Sequence, residues 1–516
     1  MPSWLKDSVF YEIYPQSFND TNGDGIGDIN GITEKLDYIK GLGCNAIWIN
    51  PIYDSPFHDA GYDVRDYKKV APRYGTLKDV KRMLKEAHKR DMRLIFDLIP
   101  GHTSDEHKWF RSAQKVEKNE YSDRYVFTNS VWDCPDGYKW VNGAAQRDGN
   151  YLINFFVNQP ALNYGFNNIT DPSWQMSFKD PRCHKTLEAM MDVMKYWLDI
   201  GVDGFRVDMA DSLVKNDDEK LATSSLWKEV RMWLEKEYPE AAMVAEWSHP
   251  YRAIVRGGFH MDFYLDHQGN GYHALFRNIK DGVNKSFFCK DGKGDIKEFL
   301  NQYLPTMEAL NGEGYYCFIT CNHDTPRPTF FMDNQNIKLM QAFIMTMPGV
   351  PFVYYGDEIG MKYIEGMNSV EGGYPRTGTR TPMQWDSTKN YGFSSAPKNK
   401  LYIQQDLSKN APTVEKQEGK KGSILENLKH YTKLRKENIE LANDSLFEVV
   451  YAEKDKYPFV YRRGKFTIFV NPSLKEQAVK YETTSDEKVF DVLGTYKITK
   501  KKVYVGPQSF IILKTE

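Results

Sequence analysis

Only six cysteines occur in 516 residues (Cys44, Cys134, Cys183, Cys289, Cys317, Cys321), and no two are spaced as C-x-x-C. The pairing that zinc and redox motifs need is therefore missing, and cysteines set in apolar runs behave as small buried residues. No apolar stretch reaches the ~18 residues that span a bilayer. The start, Met1-Pro-Ser-Trp-Leu-Lys6, lacks the charged segment and apolar core of a secretory leader. These absences lead us to expect a cytoplasmic protein in a reducing compartment. Nor does one charge predominate: 68 Lys and Arg against 70 Asp and Glu leave a net −2, without a long basic run. Nucleic acid and anionic membranes need concentrated positive surface, so neither is expected as a partner. The oligomeric state is left open.

What the chain does have is length, aromatics and a rhythm. Its 516 residues exceed one compact core. Aromatics make up 14%, with 33 Tyr and 11 Trp, which suits sugar faces as well as large cores. Short apolar runs alternate with amphipathic stretches: Val9–Tyr14, Asn45–Asn50, Met92–Leu98, Val202–Met209, Ala242–Trp247, Phe259–Leu265, Tyr315–Cys321 and Val350–Tyr355. Helical patterns separate most of them, such as Gly31 to Leu42 and Thr76 to Arg90. Eight strands alternating with helices predict an α/β fold with a closed (β/α)8 barrel, a TIM barrel. The barrel takes residues 1–101 and 175–445. Residues 102–174 read as an irregular domain inserted after strand 3, and 446–516 as a C-terminal antiparallel β-sandwich. The polar, Gly-rich stretch from Ile364 to about Gly419 reads as a long loop over the barrel's mouth.

Catalytic groups of such barrels sit at the C-terminal ends of the strands. Four strands end in charged sequences: Asp97-Leu-Ile-Pro-Gly-His102, Gly204-Phe-Arg206-Val-Asp208, Val244-Ala-Glu246-Trp247 and Asn322-His323-Asp324. Buried charges at strand ends are costly unless paired or used. Cleavage of a glycosidic bond with retention needs two carboxyl groups about 5–5.5 Å apart. Adjacent strands lie about 4.7–4.9 Å apart, so Asp208 and Glu246 can meet that spacing. Arg206, two residues before Asp208, shares its side of the strand and should keep it ionised as a nucleophile. Glu246 would begin the cycle protonated, as general acid. Asp97 reads as structural.

These strings resemble the α-amylase superfamily, glycoside hydrolase family 13, from Val9 to about Asp386. The resemblance implies Asp208 as nucleophile, Glu246 as acid/base, and Asp324 as the third carboxylate, which binds sugar hydroxyls. His102 and His323 are similar to the family's two sugar-binding histidines, Asp63 to an acidic residue of the same subsite, and Tyr62 to a stacking platform. Gly356-Asp-Glu-Ile-Gly360 and Arg380-Thr-Pro-Met-Gln-Trp385 look like the α-glucosidase and oligo-1,6-glucosidase branch. There Arg380 and Asp63 would close the bottom of the subsite and read the non-reducing end. The substrate implied is a short α-glucoside or oligosaccharide, cleaved by exo-acting hydrolysis. The alternatives are a transglycosylase or isomerase such as a trehalose synthase, an endo-acting α-amylase, and a non-catalytic relative, which would have lost the carboxylates. Ala161 departs from the oligo-1,6-glucosidase pattern, and Met209 fits neither the α-1,6 nor the α-1,4 preference, so the bond stays unassigned.

Asp20-Thr-Asn22-Gly-Asp24-Gly-Ile26-Gly-Asp28 places oxygen ligands at alternate positions, like the first half of an EF-hand loop, but position twelve is Gly31. It resembles a small loop of the oligo-1,6-glucosidase branch. The expectation is one structural Ca2+ (or Mg2+) held by Asp20, Asn22, Asp24, the Ile26 carbonyl and Asp28. A second family metal site needs Asn before His102; Gly101 stands there, so that site is expected to be absent.

Overall fold

The computed structural model describes residues 1–264, 270–371 and 375–516. Its centre is a closed barrel of eight parallel strands: β1 (Phe10–Ile13), β2 (Ala46–Ile49), β3 (Arg93–Leu98), β4 (Gly204–Val207), β5 (Ala242–Ala245), β6 (Met261–Phe263), β7 (Tyr315–Ile319) and β8 (Val350–Tyr354). The strands stand in chain order and β1 pairs with β8, with Phe10 beside Phe352, to close the ring. Both faces of these strands are covered, so they read as apolar runs rather than alternations: Phe10, Ile13, Ile47, Ile49, Leu94, Phe96, Phe205 and Val207 are all buried. Leu265, expected in the sixth strand, lies outside the described residues.

Among the described residues, six helices have twelve residues or more: α1 (Leu77–His88), α2 (Pro181–Ile200), α3 (Leu221–Glu237), α4 (Ile296–Leu310), α5 (Asn334–Thr346) and α6 (Ile424–Glu437). α1 begins where the sequence says it should. The Thr76 side chain accepts from the Asp79 N–H while Asp79 reaches back to Thr76, a capping box that satisfies two otherwise orphaned donors. The helix expected from Gly31 to Leu42 is instead two short ones, Ile29–Glu34 and Leu36–Gly41, divided at Lys35.

After β3 the chain leaves the barrel. Residues 102–174 hold one short helix (Lys108–Ala113), one small hairpin (Trp140–Val141 with Tyr151–Leu152) and an apolar cluster of Val126, Leu152, Ala161, Phe166 and Trp174. At the far end, β9 (Glu448–Tyr451), β10 (Phe459–Arg463), β11 (Phe466–Asn471), β12 (Gln477–Lys480), β13 (Glu487–Leu493), β14 (Tyr496–Thr499), β15 (Lys502–Val505) and β16 (Ser509–Thr515) form two antiparallel sheets, ordered β9-β10-β11-β16-β13 and β12-β15-β14. Period-2 alternation divides the larger sheet between two cores. Phe459, Tyr461, Ile468, Val470, Phe510 and Ile512 join the main core. Val460, Phe469, Ile511 and Leu513 face a second cluster with Val479, Val503 and Val505.

One glycine controls the geometry the site depends on. Gly204 opens β4 at φ +147°, beside Ala242 of β5. A Cβ there would lie 2.2 Å from the Ala242 carbonyl oxygen and 2.6 Å from its nitrogen. Only a residue without a side chain lets β4 and β5 run this close at their start.

Candidate active site

The β4–β5 register ends with Val207 opposite Ala245, so the next residues, Asp208 and Glu246, leave the barrel side by side. The backbone keeps them in step: the Asp208 N–H donates to the Leu98 carbonyl at 2.8 Å, and the Glu246 N–H to the Val207 carbonyl at 3.0 Å. Arg206 lies beneath both, with 1% of its surface exposed. Its Nη1 donates to Asp97 Oδ1 at 2.6 Å and Asp208 Oδ1 at 3.0 Å, and its Nη2 sits 2.6 Å from Glu246 Oε1. One guanidinium therefore faces three carboxylates. Asp97 is fully buried and also accepts from the Trp48 indole N–H at 2.8 Å, the structural role its sequence position implied.

That sharing changes the electrostatics expected from sequence. Arg206 does pull Asp208 toward its ionised form, as its position two residues upstream suggested. Burial first, and the adjacent Glu246 carboxylate second, outweigh it and push the Asp208 carboxyl well above the ordinary range.

Met209, directly after Asp208, adopts a left-handed conformation (φ 42°, ψ 48°), uncommon for a residue with a side chain. The turn aims its N–H at Glu246 Oε2, 2.9 Å away. Glu246 is thus held by Arg206 on one oxygen and by a backbone donor on the other. A further acid, unremarked in the sequence, fixes the chain beyond it. Buried Asp262 at the centre of β6 accepts from the N–H groups of Trp247 (3.1 Å) and His249 (2.9 Å).

Asp324, after β7, lies among cations. Arg376 Nη1 reaches its Oδ1 at 2.7 Å, Arg380 Nη2 the same oxygen at 2.8 Å, and His323 Nε2 its Oδ2 at 3.2 Å. Burial alone would raise this carboxyl; His323 and the two arginines outweigh it and hold Asp324 well below the usual carboxylate range. His323 is the counterpart. Burial lowers it, but Asp324 and then Glu12, whose Oε1 is 2.8 Å from Nδ1, lift it to about 9. His102 is the opposite case: burial lowers it to about 4. Neutral, it donates from Nε2 to the Tyr62 carbonyl (3.1 Å) and accepts at Nδ1 from the Asn154 amide (3.2 Å). Tyr62 stacks on the His323 ring, with centroids 5.3 Å apart and planes at 10°.

Asp208, Glu246, Asp324, His102 and Tyr62 all line one cavity of about 470 Å3, together with Asp59, Phe155, Met209, Trp247 and Arg376. Four expected residues do not line it: Arg206 and His323 are buried behind the lining side chains they touch, and Asp63 and Arg380 serve other partners. Asp63 is fully buried, and its carboxylate is spent on its own loop, accepting from the Ser55 hydroxyl and the N–H groups of His58 and Asp59. Arg380 lies behind Asp324, its Nε donating to the His323 carbonyl and its Nη1 to Glu371. The acid and base that face the cavity are each four residues earlier: Asp59 and Arg376 pair directly, and Arg376 bridges on to Asp324. Sequence reading missed Asp59, Arg376, Asp262 and Phe155. The first two stood one turn of text from residues chosen on motif position alone.

A Cβ at Gly101 would lie 2.6 Å from Asn154 Nδ2 and 2.9 Å from Ser212 Oγ, so both side chains would have to turn aside for any larger residue. Beside this glycine, Lys215 donates to the Ser212 carbonyl and to Asn154 Oδ1. Burial lowers this lysine to about 8.

In the loop from Asp20 to Asp28, the acids accept from backbone N–H groups. Asp20 takes those of Gly23 (2.7 Å) and Gly25 (2.8 Å), Asn22 that of Asp24 (2.9 Å), Asp24 that of Ile26 (2.8 Å), and Asp28 those of Thr21 (2.8 Å) and Gly31 (2.7 Å). As it stands, the loop does not bring three acidic side chains into one cluster; none of three or more His, Cys, Asp or Glu able to hold an ion is found among the described residues. Nor is any helix long and apolar enough to cross a membrane among them.

Known proteins resemble this chain in sequence and fold. The model of the α-amylase catalytic domain matches residues 12–444. Trehalose synthase/amylase TreS of Mycolicibacterium smegmatis is 34% identical over 441 residues, covering 78% of this chain and 70% of that one. Glucan 1,6-alpha-glucosidase of Streptococcus pneumoniae is 28% identical over 562 residues and 99% of both chains. The crystal structure of isomaltulose synthase from Erwinia rhapontici NX5 superposes with a TM-score of 0.80 at 27% identity, covering 100% of this chain and 99% of that one. Barrel, carboxylates and family match converge on one conclusion: the chain belongs to the α-amylase family, glycoside hydrolase family 13, and is an enzyme acting on α-glucosidic bonds.

Proposed function

We propose that the protein is a retaining, exo-acting α-glucosidase of short oligosaccharides, with Asp208 as nucleophile and Glu246 as acid/base. The observation that carries this reading is the pair of carboxylates on the two terminal nitrogens of the Arg206 guanidinium, lining one cavity with Asp324. The reaction uses the arrangement in which Asp208 is ionised and Glu246 holds the proton. Asp208 attacks the anomeric carbon as Glu246 protonates the leaving oxygen; water then gives a proton to Glu246 and displaces Asp208. Anionic Asp324, held by three cations, and neutral His102 supply hydrogen bonds to the sugar. Exo action is supported by the chain of ion pairs Asp59–Arg376–Asp324 in the cavity wall, which we read as the closed end of the sugar subsite. Asp208→Asn and Glu246→Gln are expected to lower turnover of an aryl α-glucoside by at least about 10³-fold while the fold is kept; near-normal rates in either variant refute the roles.

A second reading, transfer rather than hydrolysis, is supported by the likeness to a trehalose synthase/amylase. Product chromatography on maltose, isomaltose, sucrose, trehalose and starch separates the two: glucose alone means hydrolysis, and new disaccharides mean transfer.

The donor set of the loop, three carboxylates, the Asn22 amide oxygen and the Ile26 carbonyl, supports one structural Ca2+ or Mg2+. Holding it requires Asp20, Asp24 and Asp28 to turn oxygens now spent on backbone N–H groups toward a common centre. Elemental analysis of the purified enzyme, with thermal melts before and after EDTA, tests this: one equivalent of metal and a lowered Tm are expected, and an unchanged melt counts against it. Six unpaired cysteines support a cytoplasmic setting.

A further inference from the structure

A second cavity, of about 720 Å3, lies between the N-terminal ends of α5 and α6, in the region formed by the connections after β7 and β8. It shares no lining residue with the catalytic cavity. Among the described residues, six lysines line it, Lys338, Lys362, Lys409, Lys416, Lys420 and Lys421, and no Asp or Glu does. This concentration occurs in a chain whose net charge is −2. None of the described acids of this stretch is paired with a lining lysine: Glu418 and Glu426 both pair with Lys429, and Glu415 accepts from the Ser387 hydroxyl. Three of the six ammonium groups touch only neutral oxygens: Lys362 the Ser408 hydroxyl (2.9 Å), Lys338 the Gly422 carbonyl (3.3 Å) and Lys416 the Ala411 carbonyl (3.4 Å).

Like charges gathered around one concavity repel each other, and the six lysines outnumber the three acids of the same stretch, Glu415, Glu418 and Glu426. The N-terminal ends of two long helices add partial positive charge from the same side. The connections after strands 7 and 8 of such barrels commonly receive phosphate groups. We propose that this cavity binds a small, multiply charged phosphate compound, at a site separate from the reacting carboxylates. Lysine suits this role as a mobile point charge with three donors, while the volume accommodates a ligand larger than a single phosphate.

Thermal unfolding and isothermal calorimetry of the full-length enzyme test the proposal, with pyrophosphate as the probe and inorganic phosphate and sulfate at matched ionic strength as comparisons. Pyrophosphate is expected to raise Tm by a few degrees, more than either comparison anion, because a ligand that binds only the folded state stabilises it. In a Lys416→Glu, Lys420→Glu, Lys421→Glu variant the affinity should fall at least about tenfold while turnover of an α-glucoside stays at the wild-type level. The milder Lys409→Ser, Lys420→Ser pair gives the same reading should the charge reversals unfold the chain. No heat of binding in the wild type, an equal response to sulfate, or full affinity in both variants would overturn it.

Discussion

At the residue scale, the account depends on which groups carry charge around the sugar. His323 is the sharpest case. Its folded value of about 9 lies above the 6.5 of an exposed histidine. The raised value means that its contribution to stability is complete below pH 6.5 and is lost as pH rises to about 9, some 3 kcal/mol in all. Unfolding midpoints in urea should fall across that window in the wild type and change less in His323→Gln. Because the same charge holds Asp324, kcat/KM should decline on the alkaline side near pH 9; a profile flat to pH 10 contradicts the assignment. Arg376→Ala should raise KM for disaccharides at least about tenfold and relax the preference for chain ends, read from starch products. Residue placement in the cavity was legible where motif and strand end coincide, as at Asp208, Glu246 and Asp324. It was misread at Asp63 and Arg380, where a loop decides which of two acids four residues apart turns inward. The Ser55 hydroxyl and two backbone N–H groups capture Asp63, and nothing in the spacing announces that.

At the scale of elements, strand order and closure followed from apolar runs separated by amphipathic stretches. The two-helix break at Lys35 and the turn at Met209 did not, because both are set by tertiary contacts. Gly204 is where element geometry reaches the chemistry. Gly204→Ala must push β4 from β5, so a loss of at least about 2 kcal/mol is expected, seen as a lower urea midpoint. Activity should fall beyond the loss of folded protein, since the two acids ride on those strands. An alanine variant as stable and active as the wild type would show that the close approach is dispensable. The Asp262 contact to the Trp247 and His249 N–H groups belongs at this scale too, an acid at the centre of one strand serving the loop of its neighbour.

At the scale of the whole molecule, the C-terminal sheets are tied to the barrel through one face of β10, β11 and β16. Cysteine chemistry gives a global check on the fold. Cys134 is exposed and the other five are buried and unpaired. A thiol reagent should therefore modify one cysteine in the native enzyme and six after denaturation without reductant.

The proposed function requires a covalent glucosyl intermediate on Asp208. Proton NMR of the first sugar released from an α-glucoside, recorded before mutarotation, tests that most directly. Release of the α-anomer is the result expected from two adjacent acids on one arginine; initial release of the β-anomer would contradict it.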